Sequence, residues 1–320
     1  MVKMNGSNEP NPKSKHVSLL ILGAGPAGLS AAIYAARADL QPIVLTGLQL
    51  GGQVSLTNTI ENYPGFPEGV GGLELGELFQ KQAERFGATI EYDSAQNVDL
   101  SSSPFIIGTD NYEYKSDALI IATGANPNPL NVPGEKELTG RGVSYCATCD
   151  GWFFKDKEVA VVGGGDSALE EALFLTRYAK KVTIIHRRNT LRAGAILQKR
   201  AQENPKIEFI WNSVVTEITG SGKVDSLVLE NNQNGKKTKF HTDGLFIFIG
   251  HTPNTQLFTG QLEMNDGYIN VDARMRTSVQ GVFAAGESAD PHFKQVSTSA
   301  GMGVAAAIEA TRFLEREAGK

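Results

Sequence analysis

Two glycine-rich turns, each placed between a short apolar strand and a helix, constrain the fold of this 320-residue chain most strongly. In the first, residues 17–22 are apolar, residues 23–28 have the sequence Gly-Ala-Gly-Pro-Ala-Gly, and residues 29–37 are Ala-rich, as is typical of a helix. The first glycine of such a turn allows a tight bend, the second lets the backbone approach a pyrophosphate, and the third packs helix on strand. The pattern therefore predicts a dinucleotide site.

The same unit recurs 140 residues later in the chain. Residues 159–162 are apolar, the turn has the sequence Gly-Gly-Gly-Asp-Ser-Ala, a helical stretch runs through Ala179, and residues 182–185 form the next strand. One glycine pattern alone is weak evidence, but two in the same setting predict two dinucleotide sites. The residues predicted to line these turns are Gly23, Gly25, Pro26, Ala27 and Gly28 in the first, and Gly163, Gly165, Asp166 and Ser167 in the second.

Basic residues follow the second strand of the second unit. A site for NAD would place Asp or Glu there to bind the ribose 2'-hydroxyl, whereas this chain has the cluster His186, Arg187, Arg188 and Arg192. Arginine side chains bind the 2'-phosphate of NADP bidentately, and a carboxylate would repel it. The cluster favours NADPH at the second site, and a solvated basic turn is the alternative.

The first unit ends without an acidic residue and without a basic cluster at residues 44–47. Segments rich in glycine and asparagine follow at residues 51–53 and 61–65, where they are suited to wrap a nucleotide and its ring. These features favour FAD over a second nicotinamide, with Gly52, Gln53 and Asn62 as candidate contacts.

A further strand, residues 282–285, ends in a close backbone approach at Gly286 and Glu287, before a small-residue helix over residues 296–314. The positive N-terminal end of that helix, near Gln295, is suited to face a flavin ring. A plain packing helix would have much the same sequence, so both roles stay open.

Two more apolar strands, residues 119–123 and 245–249, end at Gly124 and Gly250 and bracket the second unit. Such an insertion, with two adjacent connections, leaves a natural hinge. The predicted fold class is α/β, with two Rossmann-like nucleotide-binding domains and the NADPH domain inserted into a discontinuous FAD domain. The predicted boundaries are a disordered leader at 1–15, an FAD domain at 16–125 and 250–320, and an NADPH domain at 126–249.

Charge and hydropathy exclude several classes of partner. Thirty-five acidic and 30 basic residues give a net charge of -5, which disfavours nucleic acid and anionic membranes. No apolar run reaches the roughly 18 to 20 residues of a membrane helix. Residues 1–15 lack the apolar segment of a secretion signal, so a cytoplasmic protein is expected.

The two cysteines of the chain, Cys146 and Cys149, lie between the glycine turns and are followed by Asp150. Zinc would need four ligands, and the five histidines are not at a typical spacing, so no metal is predicted. Two structural cysteines are an alternative, but this spacing beside two cofactor sites favours redox chemistry. Electrons would pass from nicotinamide to flavin to disulfide, and the dithiol would reduce a partner through a mixed disulfide. Asp150 is the candidate acid for a departing thiolate, with capping or solvation as its alternative role.

From about residue 17 to residue 314 the chain resembles the low-molecular-weight thioredoxin reductases. The dithiol stretch followed by the basic cluster is the specific part of the match, whereas the glycines alone are not. The other matching segments are Gly51-Gly52-Gln53, Ala122-Thr123-Gly124 and Gly250-His251-Thr252-Pro253-Asn254.

The resemblance implies a homodimer with one FAD per chain, NADPH as electron donor and a small thioredoxin as acceptor. It also implies a rotation of the nicotinamide domain that brings the dithiol and the nicotinamide to the flavin in turn. The residues that it adds at the flavin are Ala122, Thr123, Gly124, Gly286, Glu287, Lys294, Gln295 and Val296.

Two departures from the family pattern both concern the flavin. Relatives commonly have Gly-Asp where this chain has Gly286-Glu287, and Arg-Gln-Ala where it has Lys294-Gln295-Val296. Glu is one methylene longer than Asp, and Lys keeps the charge of Arg but loses its planar fork.

Two other interpretations stay open on the sequence alone. One is the same scaffold with another acceptor or donor, such as a peroxiredoxin or reduced ferredoxin, although the basic cluster argues for NADPH. The other is a flavin-binding regulatory protein without turnover, against which the intact dithiol counts.

Overall fold

The computed structural model describes residues 13–47, 49–57 and 59–319, and the chain divides into two compact units. One unit comprises the described residues up to Ala125 together with those from Pro253 onward, and the other, Asn126–Thr252, is inserted between these parts. The predicted α/β class with an inserted second unit is confirmed. None of the helices in the described ranges is both long and apolar enough to cross a membrane.

The strands and helices of both units alternate along much of the chain. The strands are β1 (Lys13–Leu22), β2 (Ile43–Leu45), β3 (Thr89–Glu91), β4 (Asn97–Asp99), β5 (Phe105–Gly108), β6 (Tyr112–Ile121), β7 (Ala125–Pro127), β8 (Val143–Ser144), β9 (Glu158–Gly163), β10 (Lys181–Ile185), β11 (Ile207–Ile210), β12 (Ser213–Thr219), β13 (Ser226–Asn231), β14 (Lys237–His241), β15 (Gly244–Phe248), β16 (His251–Pro253), β17 (Met264–Asn265), β18 (Tyr268–Ile269) and β19 (Val282–Ala284). The α-helices are α1 (Pro26–Arg37), α2 (Gly72–Arg85), α3 (Glu135–Leu138), α4 (Ala147–Asp150), α5 (Asp166–Leu175), α6 (Ala195–Glu203) and α7 (Val296–Ala318).

The sheet of the first unit has the order β3-β2-β1-β6-β5-β4, and β19 also pairs with β6. The pairs from β3 to β6 and the β6–β19 pair are parallel, whereas β4 and β5 continue the sheet antiparallel. Helix α1 packs closely on α7. A Cβ on Gly303 of α7 would lie only 2.0 Å from the Ala27 carbonyl oxygen of α1, so only glycine fits at this contact. Small residues on both helices thus hold α7 against the first glycine turn.

The second unit contains a fully parallel sheet with the order β11-β10-β9-β15-β8. Its central strands are buried and apolar, as expected for strands covered on both faces. A separate antiparallel sheet, β12-β13-β14, completes the unit, and β7 pairs with β16. The Rossmann-type strand, turn, helix and strand predicted at residues 159–185 is therefore present as β9, α5 and β10.

Among the predicted boundaries that differ from those observed are the start of β1 and the end of α5. Strand β1 begins at Lys13, so residues 13–15 are not part of a leader, and residues 1–12 lie outside the described residues. Lys15 is held there because its Nζ is 2.8 Å from the Glu91 carboxylate and 3.5 Å above the Tyr112 ring. Helix α5 ends at Leu175 rather than at Ala179, because residues 176–179 form turns whose N–H groups bond to residues 172–175.

Candidate functional site

The first glycine turn joins β1 to α1 and is sterically tight at two of its three glycines. Gly23 has a φ of +105°, and a Cβ there would lie 2.3 Å from the Ala122 carbonyl oxygen. A Cβ on Gly28 would lie 1.8 Å from the Gly23 carbonyl oxygen. Around Gly25, in contrast, nothing lies within 4 Å of the Cβ position. The turn therefore has rigid walls and an open space at its second glycine.

Helix α1 begins beside that open space and suits a phosphate group. Gly25 is its N-cap, no side chain caps this fully described helix, and its first turn carries no acidic residue. The first N–H groups and the positive end of the helix dipole are the donors that a pyrophosphate uses at such a turn. The residues at the first turn therefore fit a dinucleotide.

Other residues predicted for the first site surround the same turn. Gly51 N donates to the Ala24 carbonyl at 2.8 Å, and Gly52 and Gln53 begin a 3₁₀ helix, Gly52–Leu56. Thr123 Oγ1 donates to the carbonyl of Asn254 at 2.6 Å, directly before Gly124. The structure thus brings the Gly51-Gly52-Gln53 and Ala122-Thr123-Gly124 segments to one edge of the parallel sheet.

The start of α7 lies in the same unit and is organised by its side chains. Gln295 is the N-cap and forms a capping box with Thr298, and Val296 is the first residue of the helix. Asn62 Nδ2 donates to Gln295 Oε1 at 3.2 Å, which ties the segment at residues 61–65 to the helix. Gly286 has a φ of +70°, and a Cβ on it would meet the Ala27 Cβ at 2.9 Å.

Glu287 lies in the 3₁₀ turn Gly286–Ser288 that follows β19. Burial raises the pKa of Glu287 to about 7, an effect that the Lys294 ammonium opposes and the Asp290 carboxylate reinforces. Burial also raises the pKa of Tyr268, and the charges of the two carboxylates add to that rise. The acid that the resemblance placed at the flavin is therefore a group that changes charge near neutral pH.

Replacing Glu287 by Gln is expected to stabilise the flavin-free chain at pH 8 but not at pH 5. The folded pKa of about 7 lies above the usual 4.5, so the unfolded state releases the proton first. Stability from this group is fully present below pH 4.5 and is lost as the pH rises through about 7. We expect a loss on the order of 2 to 3 kcal/mol in the unmodified chain.

Urea unfolding of the flavin-free chain at the two pH values measures this difference. Glu263→Gln, at an exposed carboxylate of the same unit, is the matched control and should show the pH dependence of the unmodified chain. An identical pH dependence for Glu287→Gln and the unmodified chain would contradict the prediction.

The second glycine turn joins β9 to α5 and is packed from two directions. A Cβ on Gly163 would lie 2.5 Å from the Phe248 carbonyl oxygen, and one on Gly164 would lie 2.3 Å from the His186 ring. Gly165 is the N-cap of α5. The nearest atom to a Cβ on it would be the Arg192 Nη2, at 3.9 Å. The Arg192 side chain therefore borders the turn at Gly165.

The loop that carries the basic cluster is fastened to this turn. Arg192 N donates to the Gly164 carbonyl at 2.7 Å, and Gly194 N donates to Asp166 Oδ1 at 2.7 Å. Arg187 and Arg188 are exposed, as are Arg192 and the Ser167 side chain. These cations beside a helix N-terminus fit a nucleotide that carries an additional phosphate.

His186 is placed differently from the arginines of the cluster. It is buried beneath Gly164, and its Nε2 is 3.0 Å from the Thr190 carbonyl oxygen. Burial lowers the pKa of His186, so the ring is neutral at pH 7. His186 therefore supports the turn from beneath. The exposed cations of the basic cluster are Arg187, Arg188 and Arg192.

Cys146 and Cys149 form a disulfide at the start of the short helix α4. Cys149 N donates to Cys146 Sγ at 3.2 Å, and Thr148 Oγ1 lies 3.3 Å from the same sulfur. Both cysteines are partly exposed, and Trp152 and Phe153 next to them are 51% and 43% exposed. Among the described residues, no group of three or more His, Cys, Asp or Glu side chains is arranged to hold a metal ion.

Ser144 and Glu171 hold the dithiol turn, and the sequence patterns singled out neither. Ser144 Oγ lies 2.6 Å from Asp150 Oδ2 and accepts from Cys146 N at 3.1 Å. Glu171 Oε2, on α5, accepts from Ala147 N at 3.1 Å. A serine two residues before the dithiol is a weak signal for Ser144, whereas the contact from Glu171 depends on how α5 packs.

Asp150 is the candidate acid, and its side chain is half-buried. Burial raises the pKa of its carboxyl above the usual range, and the hydrogen bond from Ser144 opposes that rise. A carboxyl of raised pKa keeps its proton to higher pH, which suits a group that must protonate a thiolate.

A buried carboxylate anchors the residue before the dithiol. Glu135 is only 4% exposed and accepts hydrogen bonds from Leu130 N at 2.8 Å and from Tyr145 Oη at 2.7 Å. Tyr145 directly precedes Cys146, so the turn is fixed on the side of β8 as well as on the side of α5.

Comparisons with known proteins agree with this arrangement. The family model described as pyridine nucleotide-disulphide oxidoreductase matches residues 17–303. A thioredoxin reductase of Rickettsia felis is 50% identical over 304 residues, covering 93% of this chain and 98% of that protein. A thioredoxin reductase of Streptomyces coelicolor is 48% identical over 301 residues, with 93% and 94% covered.

Solved structures show the same relationship. The crystal structure of thioredoxin reductase from Streptococcus pyogenes has a TM-score of 0.89 and 42% identity to this chain, covering 94% of this chain and 99% of that one. The chain is therefore an oxidoreductase that belongs to the pyridine nucleotide-disulphide oxidoreductase family, among the thioredoxin reductases.

Proposed function

We propose that this chain is an NADPH-dependent thioredoxin reductase that binds FAD at the first glycine turn and NADPH at the second. The observation that carries the proposal is the partly exposed Cys146–Cys149 disulfide, beside which the half-buried acid Asp150 accepts a hydrogen bond from Ser144. Family membership alone would not require a disulfide at an accessible turn. This turn offers a sulfur pair to a protein partner and a proton donor next to it.

When bound, FAD would accept a hydride from NADPH and supply two electrons to the disulfide. Breaking the Cys146–Cys149 bond leaves a thiol and a thiolate. The Cys149 N–H and the Thr148 hydroxyl, both directed at Cys146 Sγ, would stabilise negative charge on that sulfur. The turn is therefore built to hold the reduced form.

Reduction of thioredoxin then follows thiol–disulfide exchange. One cysteine attacks the thioredoxin disulfide to form a mixed disulfide, and the other cysteine breaks it, so that the Cys146–Cys149 bond forms again. Thioredoxin leaves with the two electrons as two thiols. Asp150 donates a proton to a departing thiolate and regains one before the next cycle.

The surface next to the disulfide suits a protein partner. Trp152 and Phe153 expose large apolar side chains directly after the dithiol helix. Aromatic side chains at an accessible surface are characteristic of protein–protein contacts. A thioredoxin whose disulfide approaches α4 would cover them.

The remaining assignments are part of the same proposal. FAD belongs to the unit of residues 13–125 and 253–319, and NADPH to the inserted unit, close to the predicted division at 16–125, 126–249 and 250–320. The resemblance further supports a cytoplasmic homodimer and a rotation of the inserted unit about residues near Gly124 and Gly250. Velocity sedimentation of the flavin-loaded chain measures the oligomeric state.

Removing two of the exposed arginines tests the nucleotide preference. Arg188→Ala combined with Arg192→Ala is expected to raise the KM for NADPH by about 10-fold to 100-fold, because hydrogen bonds to a charged phosphate are lost. The KM for NADH, which lacks the 2'-phosphate, should change little. Steady-state kinetics with both nucleotides measure the two effects.

The matched control is Arg177→Ala, an exposed arginine of the same unit whose guanidinium lies 5.0 Å from the Phe174 ring. It should leave both KM values unchanged. An equal rise for NADPH and NADH in the double variant would show that the arginines do not recognise the 2'-phosphate.

The proposed function is tested by electron transfer in the absence of oxygen. NADPH should bleach the visible flavin band of the purified chain, and oxidised thioredoxin should restore it while acquiring two thiols. A flavin band that NADPH does not bleach would favour a regulatory flavin-binding protein. Bleaching without reduction of thioredoxin would point to another acceptor.

A further inference from the structure

The Ser144 hydroxyl lies between the acid of the dithiol turn and the peptide group of its first cysteine. Its Oγ is 2.6 Å from Asp150 Oδ2, 3.1 Å from Cys146 N and 3.2 Å from the Cys146 carbonyl oxygen. Ser144 is 4% exposed, so its hydrogen bonds are made within the protein. One hydroxyl therefore faces two acceptors and one donor.

A hydroxyl has a single hydrogen and two lone pairs, so it can donate to only one of these acceptors at a time. The Cys146 N–H occupies one lone pair in every state. An ionised Asp150 accepts only, so the hydroxyl must donate to it. A protonated Asp150 can instead donate to the second lone pair of Ser144, which frees the hydroxyl hydrogen for the Cys146 carbonyl.

We propose that Ser144 is a positioning residue whose hydroxyl hydrogen changes acceptor with each proton transfer, from the Asp150 carboxylate to the Cys146 carbonyl and back. The inference rests on the proposed function, in which Asp150 protonates a departing thiolate. In that step the Asp150 O–H bond breaks, an S–H bond forms, the Ser144 hydroxyl turns to the carboxylate, and no electrons are transferred. The acid is thereby held in one place in both of the charge states that turnover requires.

Ser144 is the side chain that donates to the Asp150 carboxyl. Helix α5 contributes Glu171, whose Oε2 accepts from Ala147 N at 3.1 Å. The turn Gly151–Phe154 has no titratable side chain, and neither has β15, the partner of β8. Burial raises the pKa of Asp150 above its usual range, and the Ser144 hydrogen bond opposes that rise.

The peptide that links Cys146 to Ala147 provides a direct reporter. The chain has two cysteines, and Ala follows only the first of them, so ¹³C-carbonyl cysteine combined with ¹⁵N-alanine marks this peptide alone. In the flavin-loaded disulfide form, we expect the Cys146 carbonyl shift to titrate with the same midpoint as the Asp150 carboxyl. In Ser144→Ala the titration of the carbonyl shift should be strongly diminished, leaving only the change transmitted by the Asp150 N–H that the same carbonyl accepts at 3.1 Å. The Asp150 midpoint should rise by about one pH unit.

Three variants separate this device from other effects. Ser144→Thr keeps the hydroxyl and should restore the coupled titration. Ser226→Ala removes another buried serine that is hydrogen-bonded to an aspartate, Asp225, in the same unit, and should leave the Cys146 signal as in the unmodified chain. Glu171→Gln should also retain the titration of the Cys146 carbonyl. This result would exclude Glu171, which accepts from Ala147 N, as the group that titrates.

A Cys146 carbonyl that stays constant while Asp150 titrates, or one that titrates undiminished in Ser144→Ala, overturns the proposal. If Ser144→Ala does not fold, Asp150→Asn decides, because its amide donates to Ser144 as a protonated acid does. Its Cys146 signal should then stay at the low-pH position at every pH, and a signal at the high-pH position would overturn the proposal. These spectra need neither thioredoxin nor NADPH, so failure of thioredoxin reduction in the unmodified chain contradicts only the proposed function.

Discussion

Replacing Cys149 by Ser is expected to lower the rate of thioredoxin reduction by at least about 1,000-fold while leaving reduction of the flavin by NADPH intact. The two cysteines are joined in a disulfide, and neither can carry two electrons to a partner without the other. Anaerobic stopped-flow measurement of the visible flavin band, followed by steady-state NADPH oxidation with thioredoxin, separates the two steps.

Cys146→Ser is the matched variant and should show the same loss, since it also prevents the disulfide from forming. The two variants differ in one respect, because the one that retains the attacking cysteine should form a mixed disulfide with thioredoxin, which alkylation of the displaced thioredoxin thiol would trap. Mass spectrometry of the mixture identifies that cysteine. Thioredoxin reduction at an undiminished rate by Cys149→Ser would remove the dithiol from the mechanism.

Two glycines of the first turn should respond to alanine in opposite ways. Gly28→Ala is expected to destabilise the flavin-free chain by about 3 kcal/mol or more, because its Cβ would lie 1.8 Å from the Gly23 carbonyl oxygen. Gly25→Ala should leave that stability nearly unchanged, because nothing lies within 4 Å of its Cβ. It should nevertheless lower flavin affinity by at least about tenfold, because the methyl group would enter the space proposed for a pyrophosphate.

Urea unfolding of the flavin-free chain and flavin titration measure the two effects separately. Gly301→Ala is the control, since this glycine lies exposed in α7 with nothing within 4 Å of its Cβ. It should bind flavin normally and gain about 0.5 to 1 kcal/mol of stability, because alanine favours the helix. Normal flavin affinity in Gly25→Ala would place the cofactor away from this turn.

The sequence by itself determined the features that depend on short stretches of chain. An apolar run before a glycine turn predicted β1 and β9 because strand burial and the bend that follows are local requirements. Two copies of one unit likewise predicted two Rossmann-like domains, and the strands that end at Gly124 and Gly250 predicted that one domain is inserted in the other. The spacing of Cys146 and Cys149 already allowed a disulfide, since the two residues are one helical turn apart.

Only the tertiary structure decided which side chains support these features. His186 resembled a member of the basic cluster in the sequence but is buried under Gly164, 22 residues earlier in the chain. Glu171 contacts Ala147 across 24 residues, and Lys15 contacts Glu91 across 76. Such contacts arise from the order of strands in a sheet and the packing of helices on it, and no local pattern of residue types encodes them.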